Sequence, residues 1–288
     1  MENSRGREIV EAGGGCERKN GRGVDPNRNF EVDWGKKEKD YDPKEEYPGT
    51  HPFSEPETQL VRRLASEFEP HVWLNIHSGM DAMFTPYDHV ATVPEAAQEA
   101  LGMLKIIREE IFSDIKGVEI GSGGKTVGYL AHGTATDYMW EVLGVPMPFT
   151  WEIYGDFQAP YNDCFRMFNP IERSLFDSTI SHWLKAMFRL VELVPTHSVV
   201  SAQLLKARSE AVLRTPIASS SQEPQAVPGI LIVPLGIAGP GGSVTLPMWV
   251  ALLIAVAGLA AVAVGTHRWL RSHTAGSRHG SPRPAGMV

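Results

Sequence analysis

The chain has 288 residues, of which 42% are hydrophobic and 21% are charged, enough for one sizeable globular domain with appendages. Its formal net charge of −7 argues against nucleic acid as the main partner, because phosphate binding needs a concentrated basic face. The two cysteines, Cys16 and Cys164, form no Cys-x-x-Cys or Cys/His zinc pattern, which excludes a thiolate metal site. A disulfide between them and two buried thiols are both compatible with the sequence.

Residues 1–195 carry the apolar periodicities and turn signals of a folded domain. The predicted elements, in chain order, are a helix from about Ser54, a strand over 71–77, a helix over 96–112, a buried strand over 146–153 and a helix over 171–193. Because these strands alternate with longer helices, the pattern predicts an α/β domain with ligands at the strand ends.

The remaining residues change in character. Residues 196–245 are predicted to form a short amphipathic segment followed by a flexible stalk rich in Pro, Gly and Ser. Residues 246–265 contain no charged side chain over a length that crosses a bilayer as a helix, although a buried core helix is the alternative. The tail, 266–288, carries four arginines and is predicted to be disordered. The positive-inside rule then predicts a cytosolic tail and a lumenal or extracellular domain.

A single-pass protein of this orientation normally needs a signal peptide. Residues 1–23 are polar and contain no apolar stretch of the kind that such a peptide requires. We therefore expect that the beginning of the protein is missing from this chain.

Glu152 lies near the end of the apolar run over 146–153. A carboxylate is expensive to bury uncompensated, and burial at a strand end raises its pKa toward the range of a general base. A structural acid that pairs with an arginine is the alternative interpretation of this position.

Three other positions attract attention by residue type. Asn27 and Arg28 are neighbours in a polar cluster, and a guanidinium beside an amide suits a carboxylate ligand, although composition alone favours a plain surface loop. His77 ends the strand over 71–77, where it is either a metal ligand or a structural histidine. Tyr129 lies in a stretch with glycines on both sides that could move, or it simply packs.

Five segments together resemble one family. GVDPNRNF, PGTHPFSEPET, NIHSG, GYLAHGTATDY and FTWEIYGD occur in the order and approximate spacing of carboxypeptidase A/B-type zinc metallocarboxypeptidases. The resemblance extends from about Cys16 to Val194. It implies a mixed central β-sheet flanked by helices, a Zn²⁺ cofactor, and hydrolysis that removes C-terminal amino acids from peptides.

The resemblance also implies roles for the polar residues at the strand ends and in the loops. Glu152 corresponds to the general base, His77 to a zinc ligand and Arg18 to the arginine that polarises the scissile carbonyl. Asn27 and Arg28 correspond to the pair that holds the terminal carboxylate of the substrate.

Two further positions concern the substrate. Tyr129 corresponds to the mobile tyrosine that closes over the substrate, and Thr136 falls where the side-chain preference is set. Because Thr136 is small and neutral, we do not expect a strict preference for Lys or Arg. The partners implied are peptide or protein C-termini, together with a membrane through residues 246–265.

The chain departs from the family pattern in its metal ligands. The other two zinc ligands of the family come from a His-x-x-Glu motif, and no histidine of this chain has a glutamate three residues later. A catalytic zinc needs three protein ligands, so His77 alone leaves the site incomplete. We expect the chain as it stands to be inactive as a peptidase; the alternative is a non-catalytic module that binds peptides.

Overall fold

The computed structural model describes residues 3–13, 16–115, 117–160 and 162–214. The helices are α1 (Ser4–Glu11), α2 (Pro56–Phe68), α3 (Gln98–Ile111), α4 (Gly123–Thr126), α5 (Ala135–Glu141), α6 (Cys164–Phe168), α7 (Arg173–Leu193) and α8 (Ser198–Arg214). The strands are β1 (Val72–His77), β2 (Asp81–Thr85), β3 (Glu119–Ser122) and β4 (Met147–Ile153). The predicted helices over 96–112 and 171–193 thus correspond to α3 and α7, and the predicted strands to β1 and β4.

The four strands form one mixed sheet in the order β1-β4-β2-β3. β1 is parallel to β4, β4 is antiparallel to β2, and β2 is parallel to β3. The expectation of a mixed central sheet with flanking helices is therefore confirmed. Glu152 in β4 lies opposite His77 on one side and Ala82 on the other, which fixes the position of its side chain from two directions.

The two faces of β4 have different neighbours. Met147, Phe149 and Trp151 are fully buried in a cluster with side chains of α3 and α7. Because side chains alternate along a strand, Thr150 and Glu152 face the other way, and Thr150 contacts α5. One face of β4 therefore packs in the apolar core, and the other face carries the polar side chains of Thr150 and Glu152.

A disulfide joins Cys16 to Cys164, with their Cα atoms 5.2 Å apart. This settles the alternative between a bridge and two thiols. The bond ties the segment that precedes Arg18 to α6, the first helix after β4.

Within the described part of the chain, no helix is both long enough and apolar enough to cross a membrane. The predicted span over 246–265 lies outside the described residues, as do the tail and the whole of the predicted stalk. The predicted amphipathic segment near residue 196 coincides with α8.

Candidate active site

His77 and Glu152 meet at the carboxyl ends of two parallel strands. Their Cα atoms are partners in the β1–β4 register, and His77 Nδ1 lies 3.7 Å from Glu152 Oε1. The side chains are 26% and 15% exposed, so both are shielded from solvent yet accessible from the strand end.

Burial raises the pKa of Glu152 to about 7, and the positive charge of Arg18 opposes this only in part. Its Oε2 atom finds no hydrogen-bond partner among the described residues. That oxygen faces Gly79: a methyl group added there would come to 3.5 Å from it. A carboxyl group with a pKa near neutrality and a buried oxygen that lacks a hydrogen-bond partner has the properties of a general base.

His77 is held as a neutral imidazole. Burial, followed by the charge of Arg18, lowers the pKa of His77 to about 4. Its Nε2 lies 2.9 Å from the amide nitrogen of Asn75. The NH₂ nitrogen of an amide can only donate a hydrogen bond, so His77 Nε2 is the acceptor. The ring proton is therefore assigned to Nδ1, on the side of Glu152.

Arg18 lies close enough to influence both groups electrostatically. Its Nε donates to Asp25 Oδ2 at 2.7 Å, and its side chain is 39% exposed. Although burial alone lowers the pKa of Arg18, the charge of Asp25 and the bond to it outweigh this effect, and the pKa is raised. Arg18 therefore presents a permanent positive charge near the Glu152 carboxyl.

A cavity of about 240 Å³ opens beside these residues. Arg18, Asn27 and His77 contribute polar groups to its lining, and Val61 and Trp73 contribute apolar ones. The Trp73 Nε1 atom is buried and has no hydrogen-bond partner in the described part of the molecule. Asp25 and Glu57 also line the cavity, which therefore combines apolar side chains with charged side chains of both signs.

The loop that carries Asn27 and Arg28 forms a short 3₁₀ turn, Pro26–Arg28. The Asp25 side chain accepts from Asn27 N at 2.9 Å and shapes the turn. Asn27 Oδ1 in turn accepts from Ala135 N, at the start of α5, at 3.0 Å. The amide oxygen of Asn27 is therefore engaged in the fold, and its NH₂ group remains for a ligand.

The guanidinium of Arg28 is buried, with only 7% of the side chain exposed. Its Nη1 donates to Asn27 O at 3.0 Å, and its Nη2 donates to Glu46 Oε1 at 2.7 Å. Arg28 already holds a carboxylate in this structure, and that carboxylate belongs to the chain itself.

The two predicted substrate residues lie in different surroundings. Tyr129 is 42% exposed and lines, together with Arg28, a small cavity of about 20 Å³. Thr136 is fully buried, with its Oγ1 atom 2.6 Å from Thr150 Oγ1. It lines neither cavity. The structure thus groups Arg18, Asn27 and His77 around one cavity and Arg28 with Tyr129 around the other, and Thr136 belongs to neither group.

Sequence reasoning did not identify Glu46 or His132. His132 is buried, with Nε2 2.8 Å from Glu38 Oε1 and Nδ1 3.4 Å from Asp33 Oδ2. These acids belong to a charge-rich stretch without any motif. The only available signal was its composition, which on its own indicates a solvated loop.

The residues present do not fit a catalytic zinc. In the described ranges, no three His, Cys, Asp or Glu side chains come together in a way that could hold a metal ion. His77 contributes a single imidazole, and its Nε2 is engaged by Asn75. A zinc site would therefore need ligands from outside the described residues.

Comparison with known proteins identifies the family. A model described as zinc carboxypeptidase matches residues 5–178. Carboxypeptidase B of Helicoverpa zea is 30% identical over 144 residues, which make up 46% of this chain and 33% of the relative. Carboxypeptidase A6 of Homo sapiens is 29% identical over 143 residues, 46% of this chain and 31% of the relative. The chain thus spans about a third of the length of the curated relatives it matches.

Two solved structures share the fold. Carboxypeptidase A from Helicoverpa armigera matches with a TM-score of 0.59 at 20% identity, over 69% of this chain and 51% of that chain. Bovine thrombin-activatable fibrinolysis inhibitor, solved in complex with tick carboxypeptidase inhibitor, matches with a TM-score of 0.56 at 22% identity, over 68% of each chain. Since the family model covers more than half of the 288 residues, the chain belongs to the zinc carboxypeptidase family.

Proposed function

We propose that the chain carries the carboxylate anchor and the general base of a carboxypeptidase, and that its ligand is the free C-terminus of a peptide or protein. The observation that carries the proposal is the buried guanidinium of Arg28, which binds a carboxylate oxygen of Glu46 at 2.7 Å. A peptide terminus presents the same chemical group, and guanidinium–carboxylate pairs are among the strongest hydrogen-bonded contacts in proteins.

Each remaining residue has a role that its surroundings support. The NH₂ group of Asn27 is available as a second donor, because its oxygen accepts from Ala135 N, and Asn27 lines the cavity that Arg18 and His77 share. The charge of Arg18 is available to polarise the last peptide carbonyl. Glu152, with its pKa raised to about 7, is suited to take a proton from an attacking water. Tyr129 is exposed and lines the same small cavity as Arg28, which supports a role in covering the bound residue.

The proposal assigns the zinc of the family a role only for a protein that supplies all of its ligands. When bound, such a metal polarises a carbonyl and activates a water. The described residues do not supply its three ligands. We therefore expect no significant peptidase activity from the chain as it stands, and a non-catalytic peptide-binding role is the second candidate. The contact between Arg28 and the Glu46 carboxylate supports binding of a peptide carboxylate whether the protein is an enzyme or a non-catalytic module.

The test uses two probes, a blocked dipeptide with a free C-terminal carboxylate and the same dipeptide as its C-terminal amide. The affinity of each probe for the full chain is measured by titration. We expect the acid to bind more tightly by roughly ten- to a hundredfold, the contribution of a charge-assisted hydrogen bond. Arg28→Ala should remove this difference. Arg189→Ala is the matched control, since Arg189 pairs with Glu110 of α3 on the opposite face of the sheet. Equal affinity for acid and amide, in the wild type and in Glu46→Gln alike, would exclude Arg28 as the anchor.

We also propose that residues 246–265 anchor the protein in a membrane, with residues 1–195 on the lumenal or extracellular side. The support is a run of twenty uncharged residues followed by arginines, together with a disulfide of the kind that persists in oxidising compartments. Carbonate extraction and protease protection of membranes from expressing cells test this. Release of the chain by carbonate, or a tail accessible from the lumenal side, would contradict it.

A further inference from the structure

A charged segment, residues 33–46, crosses the side of the site where Arg28 and Tyr129 lie; we refer to it as the acidic strap. Three of its acids contact this part of the site. Asp33 and Glu38 both approach His132, at 3.4 and 2.8 Å, and Glu46 binds Arg28 at 2.7 Å. Lys19 Nζ also donates to Lys44 O, so the strap is attached at Arg28, at His132 and at Lys19.

The Glu46–Arg28 contact differs in kind from a surface ion pair. The Arg28 side chain is only 7% exposed and that of Glu46 is 26% exposed. A pair removed from water is strong when both partners are present, and leaving one partner alone is costly. Asp25 Oδ2 lies 3.9 Å from Arg28 Nη1, so the guanidinium keeps one acid nearby when Glu46 leaves. The Nη2 atom, which donates to Glu46, then needs another acceptor, and a carboxylate of a ligand can supply it.

The space beside this contact is too small for a ligand. The cavity that Arg28, Tyr129 and Glu46 line with the rest of the strap measures about 20 Å³, which is room for about one water molecule. A C-terminal residue with its carboxylate and side chain does not fit there while Glu46 is in place.

We propose that Glu46 is an internal stand-in for a peptide C-terminus, and that it sets the affinity of the site by competing for Arg28. The inference rests on the proposed function of Arg28 as the carboxylate anchor. A peptide carboxylate binds Arg28 only in molecules in which Glu46 has left it, so the apparent affinity of a peptide acid is its intrinsic affinity multiplied by the fraction of molecules in that open state. An amide forms no ion pair with Arg28 and does not depend on this fraction. Because the contacts of His132 do not involve Arg28, Glu46 can leave while the strap stays attached there.

The test is Glu46→Gln in the full chain, with the blocked dipeptide acid and its amide as probes. We expect the acid to bind at least about tenfold more tightly to this variant than to the wild type, because a neutral amide competes poorly for a guanidinium. Amide affinity should stay unchanged. The matched control is Glu45→Gln, which removes the same charge from an exposed neighbour and should leave both affinities at the wild-type value.

The outcomes separate this inference from the proposed function. If wild type and Glu46→Gln both prefer the acid and bind it equally well, Arg28 is an anchor but Glu46 does not compete, which overturns the inference alone. If no variant distinguishes acid from amide, the anchor itself is excluded. Should Glu46→Gln fail to fold because Arg28 loses its partner, Glu46→Asp decides. It keeps a carboxylate on a shorter side chain and should bind the acid more tightly than the wild type; unchanged affinity would overturn the inference.

Discussion

The strand-end pair, His77 and Glu152, and the loop pair, Asn27 and Arg28, are held in place by different means. The strand-end pair follows from the register of two parallel strands whose other face is sealed by apolar packing. The loop pair depends on side-chain hydrogen bonds that reach it from Asp25 and from α5. A sheet-held pair tolerates the loss of single polar contacts, whereas a loop-held pair does not.

Asn29 makes the loop region vulnerable, and its replacement should have the largest effect. This fully buried side chain donates to Pro48 O and Ser54 Oγ, and it accepts from Glu55 N and Thr58 Oγ1. Asn29→Ala should lower the free energy of unfolding by about 4 kcal/mol, because several buried groups lose their partner at once.

Urea denaturation of the full chain measures this loss, and Asn169→Ala, which removes an exposed amide with one local bond, is its control. A loss no greater than that of the control would show that other contacts suffice to hold the loop.

The contact between Thr136 and Thr150 joins α5, which holds the loop pair, to β4, which carries the strand-end residue Glu152. Its removal measures how strongly the two regions are coupled. Either Thr136→Val or Thr150→Val should cost about 2 kcal/mol of stability, because the remaining hydroxyl is left buried without a partner. The double variant should be less destabilised than the sum of the single variants, since both polar groups are then gone. Strictly additive losses in denaturant melts would contradict a paired role.

A smaller effect should appear as pH dependence at Asp88, a buried residue in the loop after β2. Burial, and then the charge of Asp137, raises the pKa of the Asp88 carboxyl. A raised pKa in the folded state gives stability that is fully present below the unfolded pKa, near 3.9, and is lost as pH rises through the folded value. Asp88→Asn mimics the protonated form, so at pH 8 it should be more stable than the wild type by about 1 kcal/mol, with a smaller difference at pH 5.

Denaturation at both pH values decides this prediction, with Asp177→Asn as the control for the loss of one charge on an exposed helix surface. A wild type that becomes more stable between pH 5 and pH 8 relative to Asp88→Asn would reverse the predicted sign.

The smallest effect is expected at His77, on the strand-end side. Because it is a single imidazole whose Nε2 accepts from Asn75, His77→Ala should change zinc binding by the full chain by less than about twofold. Calorimetric titration of zinc into wild type and variant measures this. A large loss of affinity would mean that His77 shares a metal with ligands outside the described residues.

The sequence predicted the two strands of the strand-end region well, because the periodicity of side chains is a local property, whereas the pairing of His77 with Glu152 comes from the register of distant strands. The apolar alternation of β4 and the position of Glu152 at its end follow from residue types within one short run. The starts of helices were less accurate: α2 begins at Pro56 with Glu55 as its cap and not Ser54. The contact of Glu46 with Arg28 could not be predicted, since no spacing rule relates the end of a charged loop to one buried arginine.

The disulfide between Cys16 and Cys164 has a consequence for proteolysis. Every candidate site residue, from Arg18 to Glu152, lies within the ring that this bond closes. The acidic strap carries exposed lysines, among them Lys37 and Lys39, and lies inside the same ring. A tryptic cut in the strap therefore opens the ring but releases no fragment: the nicked protein should migrate as one species on a non-reducing gel and separate into two on reduction. The bond makes the strap a segment that can be severed while both halves of the site stay joined.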